Sequence, residues 1–298
     1  MLCTKEEWLV EFRSYAEKTI SDLNSSEINY KEKAKKINEK INTYRNTKLA
    51  TIKQKSNIEH WDNKHLLDEV LRVTYVSYIV MLEYRNKIWP YEYMAFTRRI
   101  GELWEPFCKL AFEYPVNKLK MISPPYFDDV KKNIKQKATK YIDLLPLSSK
   151  IKNTLKEYNA IPWRMVDSEC INLSLDMHFE QAGVHYHCDF KSGFNSNEKG
   201  NTNRLLVVGS IYSLLGSSEN TLIFVRQDED ENNHYLQLLK NSHYWNVFCA
   251  EDCYEKMKSF TGFDIRTWLN DNVDWEHDIS NELKKHLENN DLLRYLTW

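Results

Sequence analysis

Through most of the first 160 positions, apolar side chains recur every three or four residues. From Asn172 they recur every second residue. The first spacing predicts amphipathic helices, the second a strand with one polar and one apolar face. Trp8, Leu9, Phe12, Tyr15, Ala16 and Ile20 predict a helix over residues 4–24, with Thr4 as its cap and Glu7 three residues on, a capping-box pattern. Ala34, Ile37, Ile41, Tyr44, Leu49 and Ile52 predict a long helix within 27–58. Residues 64–87 are apolar almost all round between Val76 and Leu82, so that helix is expected to be buried or to lie at a subunit interface. Trp89-Pro90 ends it. The period resumes over 92–114, where Pro106 predicts a kink or a split and Pro115 a stop. Residues 126–158 read as helical again, and Ile161-Pro162 marks the change of texture.

The period of two is clearest in Asn172–Lys191, NLSLDMHFEQAGVHYHCDFK. Asn172, Ser174, Asp176 and His178 share one face of a first strand, and His185, His187, Asp189 and Lys191 share one face of a second. Gln181-Ala182-Gly183 supplies the turn, with Gly183 able to take positive φ. A hairpin centred near Gln181–Ala182 puts Asp176 opposite His187, with Asp189 as its diagonal neighbour. A polar loop is expected over Ser192–Asn203, then a helix from about Thr202. Leu222–Val225 reads as a short buried strand and Trp245–Cys249 as another. Tyr235–Lys240 can be either a helix or a strand. Ala250–Phe260, Phe263–Leu269 and Asp278–Leu296 read as helices. The expected class is α/β (α+β), a mixed sheet flanked by helices. The expected division is a helical region over 1–90 and a core over 91–298.

At 298 residues the chain can bury one large core or two modest ones. Formal net charge is −2, which excludes a globally basic nucleic-acid binder and leaves only local charge. Residues 27–58 hold nine Lys and Arg against three Glu, and residues 115–157 hold ten Lys against four acids. A Lys-rich helix is most simply a solvated face, and the alternative is an arm lying on phosphates. The six cysteines form no CxxC pair and read as reduced thiols. No apolar run reaches the length of a membrane span, and the first residues lack the apolar run of a signal peptide, so a cytoplasmic location is expected.

Two carboxylates converging on one strand face are a donor set for Mg²⁺, with water and phosphate oxygens completing the octahedron. Without a cation, two such charges are costly together, and one pKa must rise. Asp176 with Asp189-Phe190-Lys191 thirteen residues on resembles the PD-(D/E)XK nuclease signature of many type II restriction endonucleases. The order of elements is similar too: a helix bearing an acid, a hairpin bearing the motif, a helix, then short strands. The resemblance covers roughly residues 95–270. It implies a restriction-endonuclease-like core, a bacterial cytoplasmic restriction enzyme of a restriction-modification pair, and Mg²⁺-dependent hydrolysis of phosphodiester bonds in double-stranded DNA. It further implies that Asp176, Asp189 and the Phe190 carbonyl hold the metal and that Lys191 orients the attacking water. Glu105, or else Glu102, is then the acid on the first core helix. Asp167 or Glu169 is an alternative first acid.

DNA contact is expected from the loops beside the hairpin, at Lys199, Asn201, Asn203 and Arg204, with Arg226 and Gln227 further candidates. The plainer reading of that loop makes Asn201 or Thr202 the cap of the next helix. Cutting both strands of a palindrome needs two sites on a two-fold axis, hence a homodimer. Two other classes compete. His187-Cys188-Asp189 is an HxD that His234 or His243 could complete as a non-haem Fe(II) site. The basic helices alone could make a non-catalytic DNA-binding protein. A zinc site through Cys249 and Cys253 lacks a nearby second pair.

Overall fold

The structure is a computed structural model and describes residues 3–25, 27–165, 171–195 and 198–298. Among the described residues there are twelve α-helices and five strands in one mixed sheet, so the chain is α+β. It packs as two compact units, Met1–Lys118 with Glu251–Trp298, and Leu119–Ala250. The division expected at residue 90 coincides with neither junction. No helix among the described residues is long and apolar enough to cross a membrane.

The first unit is helical. Thr4 accepts from the Glu7 amide, and the Glu7 carboxylate accepts from the Thr4 amide. That closes the capping box of α1 (Lys5–Asn24). α2 (Tyr30–Ile58) and α3 (Asn63–Ile88) follow, capped by Asn29 and Asp62. α3 is buried on nearly every side, as its all-round apolar pattern requires, and packs against α1, α2 and α4 (Tyr93–Glu113). Pro106 lies inside α4 without splitting it. The segment from Glu251 returns to this unit. Buried Asp278 accepts from Lys5 Nζ and Tyr75 Oη at 2.8 Å each, and buried Glu83 accepts from Arg13 and from the Ser280 amide. These charges are tolerated inside because each carboxylate has several donors.

The second unit carries the sheet. Its strands are β1 (Lys120–Met121), β2 (Met177–Gln181), β3 (Val184–Lys191), β4 (Glu219–Val225) and β5 (Asn246–Cys249), in that order across the sheet. β1 and β3 run antiparallel to β2, and β3, β4 and β5 run parallel. The parallel pairs require crossovers. α7 (Lys199–Ser213) and α8 (His234–Asn241) supply them. α5 (Phe127–Leu144) and α6 (Ser149–Met165) precede the hairpin. Phe127 and Val130 of α5, Leu205, Val208, Ile211 and Tyr212 of α7, and Leu236 and Leu239 of α8 form one core with Ile223 and Val225 of β4. On the other face of the sheet Met177, Phe179, Cys188, Phe190, Leu222 and Phe224 are buried as well.

Several expectations need correcting. The hairpin turns on Ala182 and Gly183, both at positive φ (53° and 81°), so His178, not Asp176, pairs with His187. The shift of two residues keeps every side chain on its face. The ladder starts at Met177, so residues 171–175 are not strand, although Leu173 and Leu175 still reach the core. α6 runs through Pro162 to Met165. The carbonyl a proline orphans is four residues back, on exposed Tyr158, where water can reach it. α7 starts at Lys199 rather than Thr202, behind Glu198, which makes no side-chain cap. Neither Asn201 nor Thr202 is therefore the cap. Tyr235–Lys240 resolves as helix. The long C-terminal helix is instead α11 (Trp275–Asp278) and α12 (Asn281–Asn289), after α9 (Ala250–Thr261) and α10 (Ile265–Asn272).

Candidate active site

The polar row of the hairpin is built by alternation alone, and the register then pairs its members across strands. From the turn inward the rows are Glu180, His185 and Glu219, then His178, His187 and Thr221. The ladder ends at Met177 and Cys188, and Asp176 stands at a bend just before β2, near enough to Asp189 for its charge to act on that carboxyl. Lys191 follows on β3. Alternation by itself leaves the polar face of such a strand to solvent. α7 instead roofs this face through Leu205, Val208 and Tyr212, and Asp189 is only 1% exposed.

Two cations flank Asp189. Lys191 Nζ lies 2.5 Å from Oδ2 and Arg204 Nη2 lies 3.3 Å from Oδ1. Lys191 acts on this carboxylate first through its charge. The same ammonium donates to the Phe190 carbonyl at 3.2 Å. Asp176 Oδ2 accepts from the Phe190 amide at 2.7 Å, the group that would otherwise extend the ladder. Burial pushes the Asp189 carboxyl up to about 6. The charge of Asp176 pushes the same way, and Lys191 and Arg204 oppose it. That is the rise expected of two paired carboxylates, with burial as the larger cause.

The donor set fits a hard cation. Asp189 Oδ2 and the Phe190 carbonyl already face one positive group, and Asp176 is bound to the Phe190 amide of the same peptide run. Mg²⁺ needs no more than one or two carboxylates when waters and phosphate fill the rest. Among the described residues no three His, Cys, Asp or Glu are arranged to hold a metal ion by themselves.

The other site residues expected from sequence are distributed differently. Glu105 sits on α4 in the first unit, paired with Lys109 at 2.7 Å, and Glu102 there pairs with Arg98 and Arg99. Neither belongs to the unit that carries the two aspartates. Asp167 and Glu169 lie outside the described residues. Lys199, Asn201, Asn203 and Arg204 are on the first turns of α7, not in a loop. Asn201 donates to Glu198 and accepts from Arg204, so Arg204 is tied to Asp189 and Asn201. Lys199 and Asn203 are exposed. Arg226 donates to Ser192 Oγ, and the Gln227 side chain fills the space that a Cβ on Gly193 would need. Both therefore hold the segment after β3.

Sequence reasoning missed Glu219. It accepts from His187 Nε2 at 2.7 Å and from His185 Nδ1 at 3.0 Å. Nothing in a sequence marks it, because its partners come from the parallel pairing of β4 with β3. Both ring nitrogens of His187 are committed, Nδ1 to His178 at 2.8 Å and Nε2 to Glu219. That removes the support for an HxD iron site through His187. The His234 ring lies tilted against Tyr235, and Cys249 and Cys253 take part in no disulfide among the described residues. Cys170 is outside the described residues. No protein-family model, no curated protein and no solved structure matches this chain.

Proposed function

We propose that the chain is a Mg²⁺-dependent endonuclease of the restriction-endonuclease-like class, cutting phosphodiester bonds in double-stranded DNA at a specific sequence, as a homodimer. The observation that carries the reading is the gathering of Asp176, on the Phe190 amide, with Asp189 and Lys191 at the end of a hairpin followed by a helix and a parallel strand. Mg²⁺ held by Asp176, Asp189 and the Phe190 carbonyl would polarise the phosphate and lower the pKa of a water. The chain supplies the rest. Lys191, half-buried at the mouth of the row, orients the water and offsets charge building on the phosphate oxygens. Arg204, with a side chain 41% exposed, is a second cation for the same phosphate. The roof of α7 excludes bulk water from Asp189, which strengthens each of these interactions. Symmetric cutting of a duplex calls for two such sites.

The test is incubation with phage DNA in Mg²⁺ and in EDTA, beside Lys191→Ala. Discrete fragments that need Mg²⁺ and disappear in the variant are expected. Intact DNA under every condition refutes the nuclease reading. Salt-sensitive DNA binding that survives loss of Asp189 and Lys191 would turn the assignment to a binding protein.

A further inference from the structure

Beneath α7 runs a chain of side chains that the nuclease reading does not use. The Leu175 amide donates to His178 Nε2 at 2.9 Å, so that nitrogen carries no proton. A neutral His178 is then protonated on Nδ1, which lies 2.8 Å from His187 Nδ1. His187 Nδ1 must accept, so its proton is on Nε2, and that proton faces Glu219 Oε2 at 2.7 Å. Only this arrangement satisfies all three hydrogen bonds. The opposite one sets a lone pair of His187 against the Glu219 carboxylate and an N–H of His178 against the Leu175 N–H. Both rings are buried, at 5% and 1% exposure, and Tyr212 stacks on His187 with centroids 3.8 Å apart. Neither ring can turn to water to relieve a mismatch.

The far end of the chain is the backbone that carries Asp176. Residues 171–175 are outside the strand ladder, so side chains hold them instead. Tyr212 Oη donates to the Leu173 carbonyl at 3.0 Å, and His178 takes the Leu175 amide. Asp176 comes next, at a bend, with its carboxylate on the Phe190 amide. We propose that His178 is a positioning residue for Asp176, held in its Nδ1–H tautomer by Glu219 acting through His187, and that this relay sets how well the aspartate pair binds a divalent cation. The inference rests on the cation reading of that pair. Partners that orient metal ligands through hydrogen bonds typically change metal affinity by about 10- to 100-fold when removed.

The test compares the wild-type protein with His178→Phe, Glu219→Leu and Glu219→Gln. Long-range ¹H–¹⁵N correlation reads the tautomer of each buried ring. Electron paramagnetic resonance reads Mn²⁺ binding without any cleavage assay, and circular dichroism confirms that each variant is folded. Wild-type His178 is expected as Nδ1–H and His187 as Nε2–H. His178→Phe and Glu219→Leu should weaken Mn²⁺ binding about tenfold or more. Glu219→Gln should keep both tautomers and lose less than about threefold, because the amide oxygen still accepts while the charge is gone. A wild-type His178 protonated on Nε2 overturns the proposal. So does Mn²⁺ affinity that is unchanged in folded His178→Phe and Glu219→Leu, or that falls as far in Glu219→Gln as in Glu219→Leu. A wild-type protein that binds no Mn²⁺ overturns the cation reading itself, and that result is distinct from the others.

Discussion

Asp189→Asn should make this protein more stable and inactive. In the folded chain the Asp189 carboxyl is pushed from 3.8 up to about 6, first by burial and further by Asp176, against the pull of Lys191 and Arg204. A carboxyl with a raised folded pKa gives its full contribution to stability below 3.8 and loses it as pH rises through about 6. A rise from 3.8 to about 6 corresponds to about 3 kcal/mol. Asparagine resembles the protonated acid and never incurs that cost. The variant loses the counter-ion of Lys191 and Arg204, whose side chains are 17% and 41% exposed and reach water. The gain is therefore at most about 3 kcal/mol at neutral pH and vanishes near pH 3. Urea unfolding of both proteins across this range measures it. His187 and Glu219 have the opposite sign. Burial lowers the His187 pKa below 6.5. For Glu219 burial pushes up, but the bonds from His187 and His185 prevail and hold it below 4.5. Both groups destabilise either protein as pH falls, so the difference between the two proteins is the quantity to follow. Mg²⁺ should stabilise the wild type and not the variant. A variant less stable than wild type at neutral pH refutes the reasoning, because pairing with Lys191 and Arg204 would then outweigh burial.

Further outcomes follow from particular residues. Gly183 sits at φ 81° with open space around it, so Gly183→Val acts through the backbone alone. It should cost about 1–2 kcal/mol in thermal unfolding, and Gly183→Asn clearly less. Thr4→Ala removes one half of the α1 capping box and should cost about 1 kcal/mol in the same assay. Lys132, Lys135 and Lys140 border one open groove on α5, and no carboxylate pairs with them among the described residues. Reversing their charge should weaken DNA binding and flatten its salt dependence by about 0.9 for each phosphate no longer neutralised. Reversal at Lys35 and Lys36 should do neither, since they pair with Glu39 and Glu32 on their own helix.

What could be read from the sequence alone was what neighbouring residues decide between themselves. The capping box of α1 lies within four residues. The buried α3 follows from an apolar run that leaves no polar face. The alternation in Asn172–Lys191 put Asp176, His178, His185, His187, Asp189 and Lys191 on one side, and that parity survived a register shift of two. Tertiary structure decided the rest. The positive φ of Ala182 and Gly183 chose the pairing, so that His178 meets His187 and Asp176 falls at the bend before β2, on the Phe190 amide. Docking of α7 turned a face that alternation would leave in water into a buried one, and so raised the pKa of Asp189 and turned Arg204 onto it. Parallel pairing with β4 brought Glu219 to two histidines 32 and 34 residues away. The reason is physical. Local sequence sets dihedral preferences and the side of a strand or helix that a residue occupies. Burial, charge pairing and pKa depend on which distant segment covers that side.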